Sequence, residues 1–323
     1  MQRKHFIRLA TATALWAMTI TSTAFAQAYP AKPVTVIIPF PPGGTLDVVG
    51  RMLAQKLGEQ MGQTFVVDNR PGGAGTIGAG VVAKAPADGY TLMFNASALT
   101  TTPMTMKTPP YDVQKDFAPI ALVAKAPLAI AVNKNLPFND LNGLIAYAKA
   151  NPGKLTFAIG SAASAGHLST ELLRRASGIE YVIVPYKGSA PAYQDLIGGS
   201  IDGFIDPILG SANFAKAGQL KVLAVTSTTR VPSQPNVPTV GETVPGFAFH
   251  SWYGLWGPAG LPNEIAQRLN TEVNKALATD MRDKLTQQGL LLTPGSISDF
   301  AQFQKDDIAL SAKIIAEGKI RAE

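Results

Sequence analysis

The chain has 323 residues, no cysteine, 46% hydrophobic and 15% charged residues, and a formal net charge of +6. Without cysteine there is no disulfide framework, no thiolate metal site and no lipid anchor on an N-terminal cysteine. The positive charge forms no basic tract and no Arg/Lys stripe interleaved with aromatics, so nucleic acid is not an expected partner.

The chain opens with a basic start at Arg3, Lys4, His5 and Arg8, followed by an apolar to weakly polar stretch over Leu9 to Ala26. Ala24-Phe25-Ala26 is an A-x-A cleavage site, so the segment reads as an export signal cut after Ala26. A membrane anchor is the competing reading. Threonines dilute the apolar run and no second hydrophobic span follows, which favours cleavage. The expected product is a soluble exported protein, periplasmic in a host with two membranes. Losing Arg3, Lys4 and Arg8 takes three from the net charge of +6 and leaves +3. Roughly 300 mature residues exceed a single core and suggest two domains.

VTVII (34–38) reads as a short buried strand. Pro39 to Asp47, PFPPGGTLD, then turns into a helix on which Val48, Val49, Met52, Leu53 and Leu57 recur at helical spacing. The start of a helix has free N–H groups and the positive end of its dipole, and two glycines let a ligand approach the backbone. The same residues also fit an ordinary strand-to-helix connection, with Thr45 as N-cap and Asp47 in the first turn. TFVVDN (64–69) is a strand before a Gly-rich turn and a Val/Ala helix, and TLMFNAS (91–97) is the next strand. DFAPIALVAKAP (116–127) and LAIAVNKN (128–135) follow as two further segments. LTFAIGS (155–161) leads to a helix around Leu168 to Ala176, and YVIVPYKG (181–188) to one around Ala192 to Ile197. DGFIDP (202–207) and LKVLAVTS (220–227) are strands, and 228–249, rich in Pro, Ser and Thr, reads as a surface excursion. HSWYGLWGPAG (250–260) precedes helices over Pro262 to Thr279 and about Ile297 to Glu317.

This alternation predicts an α/β protein built of mainly parallel sheets flanked by helices. The chain is expected to cross between domains near 125–128 and 250–254, where strands run through without a long linker. The first domain then comprises 27–125 with 251–323, and the second is 126–250. Two crossings make a hinge, and a cleft between domains is a favoured pocket.

Several chemistries can be weighed. Gly73 to Gly78 fits G-x-G-x-x-G, but Arg70-Pro71 separates it from the preceding strand, and the next strand ends in Asn95 where a ribose-binding acid belongs. No cofactor is therefore expected. His167 and His250 are the mature histidines and stand far apart in sequence, so no metal site is expected. No G-x-S-x-G occurs, yet a triad is a matter of geometry, so a hydrolase built on Ser161, His167 and an acid behind them stays open. Ser161-Ala162-Ala163-Ser164-Ala165-Gly166-His167 forms another strand-to-helix turn, readable as an N-cap loop or as a polar cleft wall. Asn95-Ala96-Ser97, Tyr186-Lys187-Gly188-Ser189 and Asp206-Pro207 also end strands, either as turn chemistry or as ligand contacts. Strand alternation puts Trp252 and Trp256 on one side and Tyr253 on the other.

PFPPGGTLDVVGR (39–51), VVDNRPGGAGTIGAGVVAKAPADGYTL (66–92), VPYKGSAPAYQDLIGGSIDGFIDP (184–207) and WYGLWGPAGLP (252–262), in this order, span the mature chain. Together they resemble the Bug, or UPF0065, family of periplasmic receptors of tripartite tricarboxylate transporters. The resemblance implies a two-domain Venus-flytrap fold that binds a small carboxylate without catalysis and works with membrane transporter subunits. The family's two carboxylate-holding loops correspond to Pro42–Asp47 and Ser161–His167, and its first-loop acid to Asp47. The expected contacts are Phe40, Pro42, Gly43, Gly44, Thr45, Asp47, Ser97, Ser161, Ala162, Ala163, Ser164, His167, Tyr186, Asp206 and Trp252. Backbone N–H groups at Gly43 to Thr45 and Ser161 to Ser164 are expected to hold the carboxylate, and Asp47 to bind water or a ligand hydroxyl or ammonium. Both Ser161–Gly166 and Asn95–Thr102 carry fewer glycines than the family's usual loops, which bears on ligand identity. Phe40, Tyr186 and Trp252 suit a flat acid, beside C4-dicarboxylates, citrate-like acids and amino acids. A monomer is expected, and a ligand sensor that signals without transport has the same sequence features.

Overall fold

A computed structural model describes residues 29–321. The export signal expected over residues 1–26 lies outside them.

The β-branched strand β1 (Val34–Ile38) is almost wholly buried between two parallel neighbours, β2 (Phe65–Asn69) and β3 (Thr91–Ala96). Helix α1 (Thr45–Met61) returns from β1 to β2 and packs Val49, Leu53 and Leu57 inward. It stops at Gly62, whose left-handed backbone turns the chain and donates to the Gly58 carbonyl. Helix α2 (Thr76–Ala83) links β2 to β3, and a short helix α3 (Ala98–Thr101) follows β3.

After α4 (Val113–Asp116) comes β4, one unbroken strand from Phe117 to Asn133 where the sequence reads as two segments. Pro119 and Pro127, which cannot donate ladder hydrogen bonds, sit beside a register shift and at a change of partner. Up to Pro127, β4 lies antiparallel to β9 (His250–Pro258); from Leu128 on it pairs with β7 (Gly203–Pro207), and from Ala129 also with β8 (Leu220–Val225). Helix α5 (Leu141–Ala150), capped by Asp140, leads to β5 (Thr156–Ile159), which is parallel to β6 (Val182–Pro185) and β7. Helices α6 (Ala165–Ser177), α7 (Ser189–Gly198) and α8 (Ile208–Lys216) follow β5, β6 and β7. Beyond β9 come α9 (Asn263–Ala276), α10 (Asp280–Gln287), the short β10 (Leu291–Leu292) and α11 (Ile297–Gly318).

The sheets are thus mixed. They are parallel at their outer strands and antiparallel where β4 and β9 pass through the centre, giving the order β2-β1-β3-β9-β4-β7-β5-β6. One core gathers Ile37, Met93, Leu99, Trp252, Trp256 and Phe300, and another gathers Leu128, Ile130, Phe157, Leu173 and Ile205. The 228–249 excursion is pinned down by Val231 and Val240, buried apolar side chains, and by a capping box between Thr239 and Glu242. Among the described residues no helix is long and apolar enough to cross a membrane.

Candidate functional site

The carboxyl ends of β1, β3, β5 and β7 each hand over to a helix, and the residues at these hand-overs surround about 700 Å³ of space, part of it open to solvent. First-turn or N-cap residues of α1, α3, α6, α7 and α8 line it, among them Thr45, Ala98, Gly166, Ser189 and Pro207. Phe40, Ser161, Ser164, Asp206 and, from β9, Ser251 and Tyr253 complete the wall. A second space of about 910 Å³ opens beside it, sharing Phe40 and Ser161 and bordered by the Pro71–Gly75 turn, Ala162, Tyr186 and Lys187.

The first loop turns on Gly43, whose φ of +85° suits glycine, and α1 is capped by extended Gly44. Thr45 is therefore the first helical residue where the sequence suggests an N-cap, and its hydroxyl is buried without a partner. Asp47 faces back under the loop. Its Oδ2 accepts from the Gly43 amide at 3.0 Å and from Arg51 Nε at 2.9 Å, and its Oδ1 accepts from Asn69 Nδ2 at 2.9 Å. Asn69 Nδ2 also donates to the Phe40 carbonyl, at 2.9 Å. Burial by itself raises the Asp47 pKa, but the hydrogen bonds from Arg51, Gly43 and Asn69 outweigh it and hold the carboxyl below its ordinary value. Both oxygens are engaged within the protein, so Asp47 braces the loop from the cavity wall.

The second loop has the same logic. Ser164 caps α6 by accepting from the His167 amide, and the Ala163 amide donates to His167 Nδ1 at 3.0 Å with Ala163 at φ +56°. His167 is thus bound to its own loop as an acceptor, and burial keeps its pKa below the usual imidazole value. Ser161 Oγ donates to the Ala162 carbonyl at 3.2 Å, so the Ser161–His167 contact that a hydrolase requires is not made.

The amides divide accordingly. Those of Gly43, Ala163 and Ser164 are used inside the loops. Among the described residues, those of Gly44, Thr45, Ser161, Ala162, Ala165 and Gly166 have no acceptor in the protein. No Lys, Arg or His belongs to the described wall of the inner space, whose ionisable side chains are Asp47, Asp206 and Tyr253. Four side-chain atoms of that wall are buried without a partner: Thr45 Oγ1, Ser97 Oγ, Asp206 Oδ2 and the Tyr253 hydroxyl. Unpaired buried groups of this kind cost free energy unless something fills the space. Burial raises the Asp206 pKa to about 7, against the hydrogen bond that its Oδ1 accepts from Ser189 Oγ at 2.9 Å and the Tyr193 hydroxyl beside it. A cavity rimmed by helix N-termini and open amides, with no cation, is suited to an anion held by main-chain donors.

Of the residues singled out from the sequence, Phe40, Gly44, Thr45, Asp47, Ser97, Ser161, Ser164 and Asp206 line the inner space, and Ala162 and Tyr186 line the outer one. Tyr186 is held by donating to Asp195 at 2.6 Å. Pro42, Gly43, Ala163 and His167 line neither space: Pro42 and Gly43 are exposed, and Ala163 and His167 are buried. Trp252 is a correction: it is fully buried among Trp256, Phe300 and Phe303, with ring centroids 5.3–5.9 Å apart. Its neighbour Tyr253 points the other way along the pleat and lines the cavity. Ser189, Gly166 and Ser251 were not named as contacts from the sequence, though Ser189 and Gly166 stand in strand-end motifs that it did single out. Among the described residues no group of three or more His, Asp or Glu is placed to hold a metal.

A family model described as the tripartite tricarboxylate transporter family receptor matches residues 49–320. The chain belongs to that family. The receptor is 38% identical to a UPF0065 protein encoded in the tcbD-tcbE intergenic region of Pseudomonas sp. strain P51, over 95% of this chain and 93% of that one. It is 39% identical to BugT of Bordetella pertussis, over 80% of each. Among solved structures it resembles R. palustris Rpa4515 with adipate, at a TM-score of 0.89 and 38% identity, covering 91% of this chain and 99% of that one. MatC from Rhodopseudomonas palustris with bound malate gives 0.84 and 30%, covering 89% and 100%, and the periplasmic binding protein BugD gives 0.87 and 32%, covering 91% and 99%. The receptor therefore has the two-domain α/β fold of periplasmic binding proteins, and its family binds solutes and is not one of enzymes.

Proposed function

We propose that this receptor captures a small organic acid between its two lobes and delivers it unchanged to the membrane subunits of a tripartite tricarboxylate-type transporter. The observation that carries the reading is the convergence of unpaired helix N-terminal amides on one cation-free cavity. One ligand carboxylate would accept from the amides at Gly44 and Thr45 on one side and Ser161, Ala165 and Gly166 on the other. Each charge-assisted N–H bond to a carboxylate contributes about 1.5–3 kcal/mol, so a few suffice for useful affinity. Adipate and malate, named with two of the related structures, set the size class to try first. Phe40 borders both spaces and would stack against the ligand's carbon skeleton.

In this reading the protein is exported, loses residues 1–26 and acts as a monomer. Its lobes meet where β4 changes partners, near 125–128, and at the start of β9, near 250–254. Closure would follow occupancy, with these strands taking up the backbone change. Isothermal titration of the mature protein against adipate, malate, citrate, aspartate and benzoate tests the proposal, alongside native mass spectrometry of protein purified from its host. Binding of at least one acid at micromolar concentration without turnover is expected; hydrolysis of an ester, or binding of neutral solutes alone, refutes it.

A further inference from the structure

Asp206 stands apart from the other acid in the cavity wall. Asp47 is offset by Arg51 and has both oxygens engaged, whereas Asp206, 7% exposed, has one hydroxyl donor and an Oδ2 without a partner. The side chains that the surrounding elements turn toward it carry no charge, for Asp195 on α7, Lys216 on α8 and Lys125 on β4 contribute nothing to its titration. From α7 come Ser189 and Tyr193, whose hydroxyl lies beside Oδ2; both stand close to the Cα of Gly210 on α8, where an added Cβ would sit 2.7 Å from the hydroxyl and 3.0 Å from Oδ2. From β9 comes Tyr253, and on β4 Asp206 is paired with Ala129. Lys187 borders the outer space and not this one, and Arg51 is engaged by Asp47.

An organic anion brought into the same cavity would face a second carboxylate with no cation to offset it. Two like unit charges about 6 Å apart at an effective dielectric of about 20 disfavour each other about a hundredfold. A proton on one of them removes the conflict and turns an acceptor into a donor, as in carboxyl pairs that share a proton. Resting on the reading that this cavity holds a carboxylate, we propose that Asp206 enters the complex as the neutral acid and donates a hydrogen bond to the ligand, so that capture takes up one proton from solution.

The direction of the pH dependence follows. Burial already raises the Asp206 pKa to about 7 in the free protein, and a bound anion raises it further. Affinity should be greatest below pH 7 and fall as pH rises between the free and bound values, by up to about tenfold per pH unit. Titration calorimetry with adipate and with malate at pH 8, in buffers of different ionisation enthalpy, should show close to one proton taken up per ligand. The Kd should rise about tenfold between pH 7.5 and 8.5. Asp206→Asn keeps the acceptor for Ser189 and supplies a permanent donor; its Kd should be flat over this range, without proton uptake. The Asp206 carboxyl carbon, assigned by its loss in the Asn variant, should titrate by NMR near pH 7 in the free protein and higher in the complex.

A wild-type Kd that does not change with pH, with no buffer-dependent heat, overturns the proposal, as does a carboxyl midpoint near 4 in both states. If no acid of the panel binds the wild-type protein at any pH down to 5.5, the carboxylate reading itself fails and this inference falls with it.

Discussion

Replacing Thr45 by proline removes one amide of the cavity wall while leaving the helix it starts intact. Thr45 is the first residue of α1, a position proline favours because its missing N–H has no helical acceptor there. Gly44 before it has φ −79° and ψ 167°, the extended backbone that a residue preceding proline adopts. The Thr45 amide makes no bond within the described protein and its hydroxyl is unpartnered, so no intramolecular hydrogen bond is lost. The melting temperature should stay within about 2 °C of wild type, since proline also restricts the unfolded chain. Binding should suffer, because an N–H bond to a charged acceptor is worth about 1.5–3 kcal/mol, or roughly 10- to 150-fold in Kd. Thr45→Val, which deletes the hydroxyl and keeps the amide, is the control. Titration calorimetry with the tightest acid of the panel, paired with circular-dichroism melts, reads both quantities. If the proline variant melts like wild type and binds within threefold of the valine variant, the Thr45 amide is not a ligand donor and the main-chain account is wrong.

Asp47→Asn should destabilise by about 1–2 kcal/mol, a sum reduced because Arg51 is half exposed. Since the folded Asp47 pKa is lowered, its contribution is present above the ordinary carboxylate value and is lost as pH falls through the folded value. Urea melts at pH 7 and pH 3 should therefore show a smaller wild-type advantage at pH 3 than at pH 7. Trp252→Phe opens space in the aromatic core and should cost about 1–3 kcal/mol with Kd unchanged, in line with its place away from the cavity. Tyr253→Phe is its mirror image: removing a buried, unpartnered hydroxyl should leave the melt unchanged or raise it, while weakening ligand binding measured by calorimetry.

Much of the fold was legible because its signals are local. β-branched runs such as VTVII, helical spacing over Val49, Leu53 and Leu57, and Gly/Pro turns at strand ends each act within a few residues. The strand-to-helix loops at 39–47 and 160–167 were legible for the same reason, and both border the cavity. What local pattern could not give was direction. Alternation separates Trp252 from Tyr253, but both faces of a central strand are buried, so neither side carries a polar mark of the cleft. Size and aromaticity favoured the tryptophan, and the phenol lines the cavity. The mixed sheet escaped for a related reason: β4 and β9 are long apolar strands whose polarity is set by partners more than 100 residues away.

The two acids make the same point about chemistry. Asp47 sits in the motif that the resemblance singles out, and sequence alone makes it the natural acceptor for a ligand. Its oxygens are taken by Gly43, Arg51 and Asn69, and Asn69 arrives from a different strand. Asp206 looks like turn chemistry before a proline, yet folding strips it of every charged neighbour and leaves one oxygen unpaired in the wall of the cavity. In the proposed scheme, what separates a brace from a recognition group is the number of donors that reach each carboxylate. That number is a property of packing, so it becomes visible only once strands β1, β2 and β7 and helices α1 and α7 are placed in space.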